Sequence, residues 1–409
     1  MKKNSVLFLS LGMILLAAVA CFHSGPSASD PDESGMSKAV LGRLDHVIHA
    51  ALVRKDFPGA VVLVGRKDKI VYRQAYGESQ WVPSRREMKA DMIFDLASLT
   101  KPIATATSIM ILVERGELSL NEKVKAYVPD FAAWKDDSDK PGEDARLWHL
   151  LTHTSGLPPY TDADLAAQKL GRPAGTAALA SYIAQLPKTD PPGKAFHYSC
   201  LGYITLAHII KQVTGQTIAE FSAQNIFEPL GMKDTFFVPP EKLRDRCVPT
   251  QVYAGKPLCG TVHDPLAALQ GGVSGNAGLF STADDLSIYA RMILNKGTYQ
   301  KHRILGELAV ERMTQVFAPI QFAGRGLGWD LDSSYATNGG DLFGPSSFGH
   351  TGYTGTSIWI DPETQTYVIL LTNRTHPDDK GDIAAVRSRV ANVVAASIVS
   401  KATASDKKR

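Results

Sequence analysis

Between residues 38 and 53 the apolar positions Val40, Leu41, Leu44, Val47, Ile48, Ala51 and Leu52 recur at helical spacing and stop before Phe57-Pro58-Gly59. The pattern predicts an amphipathic first helix. Two strand-like runs follow at 60–65 and 70–76, separated by the polar Arg66-Lys67-Asp68-Lys69, which is the signature of a hairpin. From Leu96 to about Phe237 the pattern turns mostly helical, with expected helices at 98–115, 147–152, 175–186, 201–214 and 218–227 between Pro and Gly clusters. Further on, helices are expected at 283–295 and near 306–315, strand-like runs at 327–332, 356–361 and 367–372, and a terminal helix at 383–399.

Strands near both ends and a helical middle imply an α/β (α+β) architecture. An antiparallel sheet flanked by helices would be built from both chain ends, with an inserted, mostly helical subdomain over roughly 103–240 and a cleft between the two. The 409 residues are 44% hydrophobic and 21% charged, enough to bury a large core. No repeat or polar linker divides residues 36–400, so they are expected to form one module, followed by a polar tail at 401–409.

The first residues change the picture. Lys2 and Lys3 precede an apolar run from Val6 to Ala20 that is short for a membrane span and reads as a secretory signal over 1–20. Ala18-Val19-Ala20-Cys21 has the small residues of a lipoprotein cleavage site, although Ala18 stands where such sites usually carry Leu, so lipidation of Cys21 and plain cleavage both stay open. The Ser, Pro, Asp and Gly of residues 21–35 read as a disordered tether. Without Lys2 and Lys3 the formal charge of +3 falls to about +1, a balance that argues against a nucleic-acid partner. Of the remaining cysteines, Cys247 with Cys259 is the candidate bridge, two separate thiols being the alternative, and no spacing suggests a metal site.

Candidate chemistry begins at Ser98-Leu99-Thr100-Lys101-Pro102. A hydroxyl and an amine three residues apart share one helix face, and Pro102 places them near the helix start, where amide dipoles favour negative charge and discourage a protonated lysine. Lys101 is therefore a plausible proton acceptor for Ser98. The motif alone is weak, because Ser405 with Lys408 repeats its spacing by chance.

Read together, Asp95-Leu96-Ala97-Ser98-Leu99-Thr100-Lys101-Pro102 and Leu150-Leu151-Thr152-His153-Thr154-Ser155-Gly156-Leu157-Pro158 resemble the serine hydrolases of the class C β-lactamase and penicillin-binding protein superfamily. The resemblance spans about 36–399 and implies a β-lactamase/transpeptidase-like fold and an acyl-enzyme on Ser98, with no metal or cofactor. It matches Tyr198-Ser199-Cys200 to the family's Tyr-x-Asn motif and assigns Tyr198 to proton transfer with Lys101, leaving open which is the base. Cys200 replaces the usual Asn, whose amide would grip the substrate's acyl amide. The resemblance also matches His350-Thr351-Gly352 to the family's Lys-Thr-Gly, so that Thr351 and Gly352 line the cleft and the amides of Ser98 and Tyr353 form the oxyanion hole. His350 can donate a hydrogen bond but, being mostly neutral at pH 7, attracts a substrate carboxylate weakly. Asn373 or Arg374, after the 367–372 strand, is a candidate holder of a terminal carboxylate, with surface capping as the alternative.

The resemblance implies an exported hydrolase of the periplasm or cell envelope, first a D-alanyl-D-alanine carboxypeptidase acting on peptidoglycan peptides. A carboxylesterase or β-lactamase is the alternative, and an inactive envelope ligand-binding protein is the non-enzyme rival. The expected partners are a small-molecule or peptide substrate and, through Cys21, a membrane; the expected state is a monomer. His149 and His153 fall at i and i+4, but Leu150 stands where a metallohydrolase would carry Glu, so packing or capping roles are expected for both. A Ser-His-Asp enzyme is disfavoured because the chain has no Gly-x-Ser-x-Gly elbow.

Overall fold

The strands Gly59–Arg66 and Thr366–Thr372, some 300 residues apart in sequence, are neighbours at the centre of a six-stranded sheet, paired antiparallel from Ala60 with Thr372 to Arg66 with Thr366. In this computed structural model, which describes residues 26–399, Ser357–Asp361 and Phe348–Thr351 extend the sheet on one side. Lys69–Gln80 and Arg86–Glu87 extend it on the other. The sheet is thus built from both chain ends, as the hydrophobic pattern implies.

Period-two alternation divides the central strands between two cores. Val61 and Leu63 face the large core shared with the helical region, whereas Ala60, Val62 and Val64 face a second core under the terminal helices. Tyr367, Ile369 and Leu371 join the first core, Val368 and Leu370 the second. The second core is closed by Leu44, Ile48 and Ala51 of the helix Arg43–Arg54 and by Val386, Val390 and Val394 of the helix Ala384–Ala396. The inserted helices, among them Thr107–Glu114, Thr176–Ala184 and Cys200–Thr214, pack on the opposite face.

Four expectations need correction. The run 327–332 forms no strand: Asp330 makes only isolated bridges to Arg325 and Gly349. The expected helix at 98–115 is broken into a tight turn at Ala97–Leu99, a widened turn at Lys101–Ala106 and a regular helix at Thr107–Glu114. Pro102 lacks an N–H, and its carbonyl accepts from Thr107 Oγ1 at 2.9 Å, so regular helix begins only beyond it. Cys247 and Cys259 are free thiols, each facing a backbone carbonyl. Finally, the described part of the expected tether is docked on the body: Ser29 N–H donates to Ile70 O at 2.8 Å, Lys69 pairs with Glu33, and Val399 N–H donates to Gly35 O. The expected signal, Cys21 and the polar tail lie outside the described residues.

Arg66 explains the docking. Its buried guanidinium donates to the carbonyls of Ser34 at 2.9 Å, Gly35, and Thr364 at 3.2 Å, tying the N-terminal segment to the last hairpin. Replacing Arg66 by Ala leaves the buried Ser34 carbonyl without its donor and removes one of two donors from Gly35 O and Thr364 O, and should cost about 3 kcal/mol. Thermal unfolding should report the loss, and limited proteolysis should cut within residues 26–36. A variant with unchanged melting and no new cleavage would show that the segment is held by other contacts.

Candidate active site

The turn that carries Ser98 starts from a strained backbone. Ala97 has φ 46°, a left-handed conformation unusual for a residue with a Cβ. Asp95 Oδ1 accepts from Ala97 N–H at 2.9 Å, and Thr100 Oγ1 donates to Ala97 O at 2.7 Å, holding the turn from both sides. Asp95 Oδ2 accepts from His263 N–H at 2.7 Å, and burial raises this carboxyl to about 6. The strand Leu279–Ser281 pairs with Phe94–Asp95 behind the turn, and Leu279 N–H donates to Thr100 Oγ1.

Lys101, fully buried, donates to Ser98 Oγ at 2.9 Å and to Asn276 O at 2.9 Å. Tyr198 completes the cluster: its hydroxyl bonds to Ser98 and Lys101, and Lys101 Nζ lies 5.1 Å from its ring centre. Burial disfavours the Lys101 ammonium, Cys200 and Tyr198 favour it, and the balance lies above the ordinary lysine value. Burial likewise holds the Tyr198 phenol above its ordinary value against the pull of Lys101. Both groups therefore hold their protons at neutral pH.

His153 and its motif serve Tyr198. The His153 ring packs against Tyr198 with centroids 4.3 Å apart, and its Nδ1 accepts from Ser199 N–H at 2.9 Å. His197 N–H donates to His153 O, and Cys200 N–H to Pro159 O, so the catalytic-type turn is pinned to the 153–159 segment. Burial and then Arg325 push His153 well below the ordinary histidine value, keeping it neutral. His149 Nδ1 accepts from Arg146 N–H at 2.8 Å and closes a helix start. Both histidines thus pack and cap.

The third motif lies against the Ser98 turn. Thr356 Oγ1 donates to Leu96 O at 3.0 Å and Thr354 Oγ1 to Asp95 O at 2.7 Å. The approach requires glycine at 352, where a Cβ would stand 2.1 Å from Thr356 Oγ1 and 2.3 Å from Leu96 O. The Ser98 and Tyr353 amides donate to no group among the described residues, and both residues border one cleft of about 370 Å³ with Tyr198, His350, Thr351 and Gly352. A larger cavity of about 480 Å³, lined by Leu294, Val310, Leu331 and Phe348, contains none of these groups.

His350 differs from expectation. Its Nδ1 lies 2.8 Å from Thr351 O, and a carbonyl only accepts, so Nδ1 carries the proton. Burial and Arg325 push the ring well below the ordinary value. The neutral ring thus presents a bare Nε2 lone pair and cannot donate to a substrate carboxylate. Asn373 is also not a cleft residue: it is buried, accepts from Gly59 N–H at 3.1 Å and donates to Ser79 O at 2.8 Å. Arg374 borders the cleft, with its Nε held by Tyr353 O and its Nη1 by Asp379 and Gly381 O.

Two arginines in the cleft wall carried no motif. Arg387, from the terminal helix, donates to Gly352 O and Thr356 O at 2.8 Å each and so holds the turn that presents Tyr353 N–H; burial lowers it to about 9. Arg325 is 1% exposed and pairs through Nη1 with Asp330 at 3.2 Å, while its Nε and Nη2 have no partner. Its sequence signal is a cation inside Gly324-Arg325-Gly326-Leu327-Gly328-Trp329, an otherwise apolar run ending at Asp330.

The Beta-lactamase family model matches residues 44–391. An N-acetylmuramyl-L-alanine amidase of Bacillus subtilis strain 168 is 32% identical, the match covering 86% of this chain and 85% of that protein. A protein of Escherichia coli K12 named "Putative D-alanyl-D-alanine carboxypeptidase" is 29% identical over 91% of each chain. Among solved structures, the hydrolase EstCE1 superposes with a TM-score of 0.71 at 22% identity, covering 89% of this chain and 99% of that one. A penicillin-binding protein homologue from Pyrococcus abyssi gives 0.66 at 23%, covering 86% and 76%. These two likenesses speak for the fold, while the family match spans most of the chain. The chain belongs to the beta-lactamase family and is an enzyme of the serine hydrolase class.

Proposed function

We propose that the protein is a D-alanyl-D-alanine carboxypeptidase working through an acyl-enzyme on Ser98. Ser98 Oγ attacks the carbonyl carbon of the penultimate residue, and its proton passes to the Lys101 and Tyr198 pair after that pair has lost one proton. The Ser98 and Tyr353 amides receive the developing oxyanion. The pair returns the proton to the leaving amine, the C–N bond breaks, and water then attacks the ester carbonyl to free Ser98.

The observation that carries the substrate class is Arg325. Its unpartnered Nε and Nη2 form the edge with which Arg73, in the same chain, grips both oxygens of Asp284 at 2.7 Å each. A terminal carboxylate on the leaving residue fits that edge, entering past the exposed Tyr335 at the cleft rim. The names of the Bacillus and Escherichia relatives support a peptidoglycan substrate, and with it an envelope location. No helix among the described residues is long and apolar enough to cross a membrane, and attachment through Cys21 stays a proposal. A carboxylesterase is the second reading, favoured by the neutral His350 and by a thiol at position 200.

The proton pair is tested by Lys101→Ala and Tyr198→Phe, each of which should lower the acylation rate at least about 100-fold while the fold is kept. Because the pair must lose one proton before it can accept that of Ser98, and Tyr198 is held above its ordinary value by burial, the wild-type acylation rate should rise with pH above neutrality. A flat rate, or near-normal acylation in either variant, would contradict the assignment.

The carboxylate reading is tested by comparing a peptide ending in D-Ala-D-Ala with its terminal carboxamide. A charge-assisted contact of roughly 1.5 to 3 kcal/mol predicts a preference for the free acid of about tenfold to a hundredfold. Arg325→Gln should abolish that preference. Equal release from acid and amide by the wild type, or turnover of short esters alone, would favour the esterase.

A further inference from the structure

A second wall, outside the arginine-lined cleft, meets Ser98 and Lys101 from the side of Cys200. There the Asn276 side chain is fully buried, and its Nδ2 has no oxygen or nitrogen partner and only the Cys200 sulfur beside it. Its orientation follows from a directional chain: Gln270 Nε2 donates to Ser274 Oγ at 2.6 Å, so the Ser274 hydroxyl proton goes to Asn276 Oδ1 at 2.8 Å. The amide oxygen is thereby fixed away from the site. The backbone carbonyl of Asn276 is fixed as well, since it accepts from Lys101 Nζ. What remains is the NH2 group, which faces the Cys200 thiol beside the Lys101 ammonium.

That thiol is a poor partner. Burial holds Cys200 above its ordinary value despite Lys101, so it stays a neutral S–H, a weak acceptor. Cys200 is itself only partly buried, unlike Asn276 behind it. A buried amide donor without an oxygen partner is costly in the free protein and is satisfied when a carbonyl oxygen arrives.

We propose that Asn276 Nδ2 reads an amide carbonyl on the acyl side of the substrate, supplying from the 274–277 loop the hydrogen bond that position 200 cannot give. The selected substrate class is an N-acylated amino-acid acyl group, in which an amide stands next to the carbon bearing the scissile carbonyl. The inference rests on acylation at Ser98 but not on the identity of the leaving group.

Two nitrophenyl esters with the same leaving group separate the claims: N-acetylalanyl and butyryl, each rate divided by that with hydroxide. The wild type should favour the N-acetylalanyl ester in kcat/KM, and Asn276→Ala should reduce that ratio about fivefold to tenfold, the worth of one neutral hydrogen bond. Adding Cys200→Asn to Asn276→Ala should restore part of the ratio. A wild-type ratio near one overturns the inference without any variant. An equal fall for both esters in Asn276→Ala also overturns it, because the residue would then act only through its carbonyl on Lys101. If neither ester acylates the wild type, the Ser98 reading itself fails.

Discussion

A fully buried lysine ammonium is expensive, and the site is arranged around that cost. Lys101 is satisfied by Ser98 Oγ, Asn276 O and the Tyr198 hydroxyl. Each of these partners is fixed by a different part of the fold: the left-handed turn at Ala97, the loop before Leu279–Ser281, and the 197–200 turn clasped by His153. Moving any one of them strips the charge of a partner. The chemistry is therefore built where three segments, distant in sequence, are made to meet.

The sheet supplies the fourth part. The turn after Phe348–Thr351 is drawn against the Ser98 turn by threonine hydroxyls on Asp95 O and Leu96 O, and from behind by Arg387 on Gly352 O and Thr356 O. The terminal helix thus reaches the site through one guanidinium, which couples the second hydrophobic core to the position of the Tyr353 amide. The same wall carries Arg325, whose free edge gives the cleft its preference for an anion in the proposed mechanism.

Much of this was legible in the sequence for a definite reason. Alternation in 59–66 and 366–372 and helical spacing in 38–53 are dictated by two-sided burial, so the sheet from both chain ends could be read. Ser98, Lys101 and Tyr198 were legible through their motifs. Less visible were features that depend on one long-range contact. Nothing local tells that Asn373 is consumed by Gly59 and Ser79, that the His350 proton belongs to Thr351 O, or that Arg325 keeps a free edge. Residues 29–35 look like a tether by composition, yet a buried arginine at the end of a strand holds them. The widened turn after Lys101 follows from Pro102 but breaks the regular spacing that predicts helix.

The central claim is that Ser98, activated by this buried pair, forms a covalent acyl-enzyme. Intact-mass measurement after exposure to a fluorophosphonate, followed by peptide mapping, tests it most directly. The account predicts one adduct per chain on the peptide containing Ser98 and none in Ser98→Ala. An adduct that persists in Ser98→Ala, or a folded wild-type protein that takes up no label, would contradict it.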